Sequence, residues 1–135
     1  RIMVSAVGEQ RFVIQETQTD KPYLMANVNL IQDNDTEISE SLVSNIKISF
    51  LEYVRRLTAL QGGWIDRLAE YDDPSALSFA IAQLLQVESK IKQELLEMTS
   101  VSSRLQLENT LLVKSIEHLD VLLKQEGPHK RFSAN

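Results

Sequence analysis

The chain has 135 residues, with 43% hydrophobic and 24% charged side chains, the balance of an ordinary soluble globular protein long enough to bury a real core. It holds no cysteine, which excludes a disulfide scaffold, thiolate zinc sites and cysteine nucleophiles. The formal net charge of −5 argues against a long-range field that attracts phosphate backbones, and no apolar run approaches the ~20 residues of a membrane-spanning helix. No signal-peptide pattern opens the chain, so a cytoplasmic location and no membrane contact are expected. Because it begins at Arg1 inside a run of β-formers, the chain reads as a fragment, or the ordered part, of something longer.

The first third reads as strands. Arg1–Val7 is rich in β-formers and stops at Gly8-Glu9-Gln10, and Arg11–Thr17 follows, so these two are predicted to pair as a hairpin. Thr19-Asp20-Lys21-Pro22 is a second turn signal. Tyr23–Leu30 then alternates, with Leu24, Ala26, Val28 and Leu30 on one face. Three antiparallel strands with two open edges make a poor sheet, which places its missing partners upstream.

From about Thr36 the period becomes helical. Asp33-Asn34-Asp35-Thr36 offers cap oxygens, and Ile38, Leu42, Ile46, Phe50, Tyr53, Leu57 and Leu60 form one apolar stripe that Gly62-Gly63 terminates. A short helix is predicted for Trp64–Tyr71, with Trp64, Leu68 and Tyr71 on one face. Asp73-Pro74 starts the next helix: Asp caps, and Pro stands where its missing N–H costs nothing. Leu77, Ile81, Leu84 and Leu85 in that helix are expected at the centre of a bundle. Glu88–Met98 forms a further helix, with Ile91, Leu95 and Met98 inward and the pairs Glu88–Lys92 and Lys90–Glu94 outward. The last helix, Val101 to Gln125, is stopped by Gly127-Pro128. It carries a seam of Leu105, Asn109, Leu112, Ile116, Leu119 and Leu123, widened by Leu111 and Leu122 as for packing within the chain's own bundle. The fold class is α+β: an antiparallel β portion over 1–35, a helical bundle with a long C-terminal helix over 36–127, and a tail over 128–135.

Few residues suggest chemistry. His118 and His129 have no second ligand at metal-binding spacing. Asp33-Asn34-Asp35 resembles the start of a calcium loop but lacks its turn glycine (Ile38) and its closing glutamate (Ser44), so capping explains it better. Gly62-Gly63 lacks the lysine and serine or threonine of a phosphate loop, and no serine lies in a nucleophile elbow. No catalytic residue, cofactor site or metal site is assigned, and an enzyme is not expected. Trp64, Ile65 and Tyr71 are the candidate partner contacts, since Trp and Tyr concentrate where proteins meet. Anchoring of a short helix to the bundle is the simpler reading of the same residues.

The order of these features resembles the Lon protease N-terminal domain family. Gly8-x-x-Arg11-Phe12, then Pro22-Tyr23-Leu24 leading into Val28, is similar to the second half of its β-rich part. Asp73-Pro74-x-x-Leu77 opens a similar buried helix, and Lys92-Gln93-Glu94-Leu95-Leu96-Glu97 precedes Arg104-Leu105 in a long leucine-rich helix. The resemblance implies a PUA-like β subdomain followed by a helical bundle, which recognises unfolded or damaged protein segments for an ATP-dependent protease. Nothing after the long helix resembles an ATPase or a peptidase, so the expectation is either a piece of Lon or, favoured by the early stop, a stand-alone protein carrying this domain. The alternative is a PUA-like RNA-binding module, against which the acidity and the scattered basic residues count; no nucleic acid is expected as a partner.

Overall fold

A computed structural model describes residues 2–6, 8–35 and 37–125. The order of elements is β1 (Arg11–Gln18), β2 (Met25–Ile31), α1 (Glu40–Leu60), α2 (Pro74–Leu84), α3 (Ser89–Glu97) and α4 (Val101–Gln125). The α+β class stands as expected, with a hairpin preceding a helical bundle whose last helix is the longest. The tail and the Gly127-Pro128 stop lie outside the described residues.

The hairpin is not the one predicted. β1 pairs antiparallel with β2, matching Phe12 to Leu30 and Ile14 to Val28, with a bulge at Gln15 between Ile14 and Glu16. Residues 2–6 form no strand, and Ile2, Met3 and Val4 lie 85–94% exposed. β-forming composition makes a strand only where a ladder partner exists, and among the described residues this segment has none. Among the described residues two strands therefore stand where three were expected. Phe12, Ile14, Val28 and Leu30 share one face of the hairpin, all more than two-fifths exposed.

α1 begins at Glu40, later than the cap residues suggested, with Ser39 at the N-cap and no side-chain cap bond. Its end follows the glycine signal closely. Gly63 N–H donates to the Thr58 carbonyl and Gly62 N–H to that of Ala59, each at 3.0 Å, a Schellman closure that sets Gly62 at φ +76°. Ile46, Phe50 and Tyr53 of the predicted stripe are buried, and Leu42, Leu57 and Leu60 pack against them.

Residues 64–71 do not form the predicted helix. Eight residues are too few to nucleate one unaided, and Ile65, Leu68 and Tyr71 reach the core from irregular backbone instead. α2 opens as expected: the Asp73 carboxylate accepts from Ser75 N–H (3.3 Å) and Ala76 N–H (3.0 Å), with Pro74 first in the helix. Leu77, Ile81 and Leu85 are buried, but Leu84 is 42% exposed. The chain leaves the helix at Leu85, which takes the interior place, while the Tyr53 hydroxyl donates to the Leu84 carbonyl and accepts from Gln86 N–H, both at 3.1 Å.

α4 lies on α1 along the most extensive helix contact of the chain and touches α2 as well. Leu105, Leu112 and Leu119 of the seam are buried, and Leu111, Ile116 and Leu122 pack on the core, so the seam is an internal face. On α3, Leu95 is buried, while the expected outward ion pairs are replaced by Lys92 reaching the Gln83 carbonyl (3.4 Å) and Gln93 reaching Glu97 (2.8 Å). Among the described residues no helix is long and apolar enough to cross a membrane.

Ile81 is wholly buried where α2 meets the bundle. Ile81→Ala should lower the unfolding free energy by about 2–5 kcal/mol in urea denaturation. A loss below ~0.5 kcal/mol would mean that α2 is not a core helix.

Candidate functional site

The hairpin is tied to the bundle by a cluster of charges. The segment after β2 carries Asp33, and two arginines converge on it: Arg11 from β1, and Arg104 from the first turn of α4. Arg104 grips Asp33 with both terminal nitrogens, Nη1 to Oδ1 at 3.0 Å and Nη2 to Oδ2 at 3.1 Å, the bidentate geometry that a planar guanidinium favours. Its Nε donates to Ser78 Oγ (2.6 Å) and its Nη1 to the Met98 carbonyl (2.8 Å), so a fully buried cation is satisfied on every side. Burial alone would raise the Asp33 carboxyl, but hydrogen bonds from Arg104 and Ser75 and the two positive charges outweigh it and hold it below the usual carboxylate range.

Arg11 does a second job. Its Nη1 donates to the Leu96 carbonyl (2.8 Å) and the Met98 carbonyl (2.7 Å), placing a cation on the unpaired carbonyls and negative dipole end of α3. The Phe79 ring lies beneath both guanidinium groups, 4.3 Å from Arg104 and 5.2 Å from Arg11. Two residues on, Asp35 accepts from Ser102 N–H (2.6 Å) and caps α4; that bond, with one from Ser100, keeps its carboxyl below the ordinary value. Of the Asp33-Asn34-Asp35 run, Asp35 is thus a cap, but for α4 rather than α1, while Asp33 holds the two arginines.

This joint holds the hairpin beside α3 and leaves a cleft of about 950 Å³ between them. Val13, Ile14, Ile31, Phe79 and Leu96 give it apolar walls, and the exposed Glu9 and Glu97 line it as well. Arg11 borders it too, yet its charge is already matched by Asp33. The lining is an apolar trough with a few polar groups, and among the described residues nothing in it arranges a nucleophile beside a base.

Deeper in the bundle, Glu108 is buried one helical turn beyond Arg104. Ser78 Oγ donates to its Oε1 at 2.8 Å, but Oε2 has no partner among the described residues. Burial pushes the Glu108 carboxyl up to about 8, which the Ser78 bond and the Arg104 charge only partly offset. The group is then protonated in the folded chain where it would be ionised in the unfolded one. Its contribution is complete below the ordinary value of 4.5 and drains away as the pH rises towards about 8. Glu108→Gln, neutral at every pH, should flatten the fall in urea midpoint between about pH 5 and about pH 8. An unchanged slope would mean that Glu108 folds ionised.

The predicted partner contacts differ in exposure. Trp64 is 81% exposed, whereas Ile65 and Tyr71 are half-buried and packed against the core. Tyr71 borders a small cavity of about 190 Å³ with Phe50 and Leu77. The joint and the cleft were missed. Their one sequence signal was the placement of Arg104 and Glu108 within the buried Val101–Leu105–Leu112 stripe, where charged side chains need partners.

The described residues thus form a hairpin braced on a helical bundle, with an open apolar cleft between the hairpin and α3. The model of the ATP-dependent protease La (LON) substrate-binding domain matches residues 1–114, and the chain belongs to that family. The Lon protease of Brevibacillus choshinensis is 25% identical over 122 residues, covering 89% of this chain and 16% of that protein. The Lon protease of Amoebophilus asiaticus is 26% identical over 118 residues, covering 84% of this chain and 14% of its own length. Lon protease 2 of Herpetosiphon aurantiacus is 26% identical over 116 residues, with 84% and 14% covered. The chain therefore spans 16% or less of the length of these relatives. The matched family is that of the substrate-binding domain, not of an ATPase or a peptidase.

Proposed function

We propose that this chain is a non-catalytic capture domain that binds exposed apolar segments of unfolded or damaged proteins and presents them to an ATP-dependent protease of the Lon type. The observation that carries the reading is the cleft between β1 and α3: apolar walls, a size suited to a stretch of polypeptide, and a family defined by substrate binding. Folded proteins bury the side chains that would fill such a trough, whereas unfolded ones expose them. The two parts then have separate tasks. The β portion, residues 1–35, supplies one wall of the cleft, and the bundle, residues 36–127, supplies the other and carries the long helix. Trp64 on its exposed loop is a second contact for a protein partner, with Ile65 and Tyr71 holding that loop to the core.

An RNA-binding role finds little support. The net charge is −5, two carboxylates line the cleft, and its one arginine is engaged by Asp33.

Leu96 lines the cleft and is 46% exposed, so Leu96→Asp should fold normally. Fluorescence anisotropy with a reduced, alkylated protein as probe should show binding that this variant weakens about tenfold or more. Ile48→Asp, at a 64% exposed position on α1 that does not line the cleft, should bind as the unaltered chain does. Equal affinities for all three proteins, or equal loss in both variants, would remove the cleft from the site.

A further inference from the structure

Arg104 has two carboxylates beside it, and only one of them holds it. Asp33 takes both terminal nitrogens, at 3.0 and 3.1 Å, while Glu108 stands four residues along the same helix, the spacing that makes side chains neighbours. Ser78 Oγ joins the two, accepting from Arg104 Nε at 2.6 Å and donating to Glu108 Oε1 at 2.8 Å. Glu108 is wholly buried, and its Oε2 has no partner among the described residues. As a neutral acid it leaves one oxygen unmatched. As an anion it is a buried charge with no cation bonded to it, which costs far more. The helices packed on α4 supply no other counter-charge. α2 has no ionisable side chain, and the buried ionisable group of α1, Tyr53, bonds the Leu84 carbonyl and Gln86 N–H. The charged residues of α1, Glu40, Lys47, Glu52, Arg55 and Arg56, all lie outside the core.

The groups that Arg104 now serves have other donors. Asp33 keeps Arg11 Nη2 and Ser75 Oγ, and the Met98 carbonyl keeps Arg11 Nη1 at 2.7 Å. The Asp33 side chain is also one-fifth open to water, whereas Glu108 is closed off from it. Moving the Arg104 guanidinium from Asp33 to an ionised Glu108 therefore strands neither of these acceptors and covers one that has no cation. We propose that Arg104 is a two-position switch. It pins the hairpin through Asp33 while Glu108 carries its proton, and turns along its own helix to Glu108 when that proton leaves, which loosens the hairpin. Burial, which pushes the Glu108 carboxyl up to about 8, sets the change in the mildly alkaline range. The pinned arrangement holds the proton more tightly, so it prevails at low pH and gives way as the pH rises through about 8. One proton is the signal and the joint is the element it biases, whatever the cleft binds.

The test follows the whole chain by NMR from about pH 6 to about pH 9. The Asn34 amide, next to Asp33 and bonded to the Thr99 carbonyl at 3.0 Å, reports the pinned hairpin through its exchange protection. The carboxyl carbon of Glu108 reports its proton. Asn34 protection should fall about tenfold or more, beyond any change at the centre of α1, with the same midpoint as Glu108. The Arg104 Nε–H resonance should move with both. Glu108→Gln should keep Asn34 protection level across the range. Burial, the Ser78 bond and the Arg104 charge are what act on Glu108, so Asp33 reaches it through Arg104. By reciprocity Asp33→Asn should make Glu108 ionise about one pH unit lower, a tenfold change. A fall in protection that persists in Glu108→Gln, or an Asn34 midpoint apart from that of Glu108, would overturn the switch. So would a Glu108 titration that leaves Arg104 and Asn34 unmoved, the behaviour of a buried acid with no coupling to the joint. If Asp33→Asn does not fold, the midpoints of the unaltered chain and the Glu108→Gln control decide the matter alone.

Discussion

The grip of Arg104 on Asp33 is the constraint on which the rest of the arrangement depends. Arg104 is wholly buried, and taking a guanidinium out of water is tolerable only if a carboxylate and further acceptors surround it. Those acceptors come from three places: Asp33 after β2, Ser75 and Ser78 on α2, and the Met98 carbonyl after α3. Satisfying one cation therefore fixes the relative positions of the hairpin, α2, the end of α3 and the start of α4. Arg11 adds a second strut, from β1 directly to the Leu96 carbonyl of α3, while its other terminal nitrogen pairs with the same carboxylate. A two-stranded hairpin has little stability of its own, so this joint, rather than the sheet, keeps β1 in place.

The placement of the cleft follows. β1 is held close enough to α3 for Arg11 to reach the Leu96 carbonyl, and no closer, because Phe79 and the two guanidinium groups fill the gap at one end. Beside them lies the cleft, lined by apolar side chains of the strand and of α3. The polar joint and the apolar trough are thus two ends of one gap. The buried Glu108, linked to Arg104 through Ser78, ties the internal packing of α4 to the same network.

Much of the helical part was legible in the sequence because its signals are local. Asp73-Pro74 and Gly62-Gly63 act through bonds spanning a few residues, and the leucine seam of α4 records its burial against α1 in its own spacing. The β part was less legible, since pairing is decided by which partner is present. Arg1–Val7 has the composition of a strand, yet residues 2–6 form none, and Arg11–Gln18 pairs with the following segment. Trp64–Tyr71 misled in a different way: residues spaced by three or four reach the core from irregular chain as well as from a helix. The joint lay beyond local reading, since Arg11, Asp33 and Arg104 are brought together only by the fold. Asp33 read as a helix cap because capping is what an aspartate before a helical run most often does.

Hydrogen exchange at the β1 amides in the Asp33→Ala variant tests the dependence of the cleft on the ion pair most directly. With the carboxylate gone, two arginines face each other across Phe79 and the hairpin loses its main tie to the bundle. The β1 amides bonded to β2 should then exchange about tenfold faster or more, while the middle of α1, packed on α4, keeps most of its protection, and binding of the unfolded probe falls in parallel. Unchanged protection in β1, with the probe bound as before, would contradict the central role of Asp33 and Arg104.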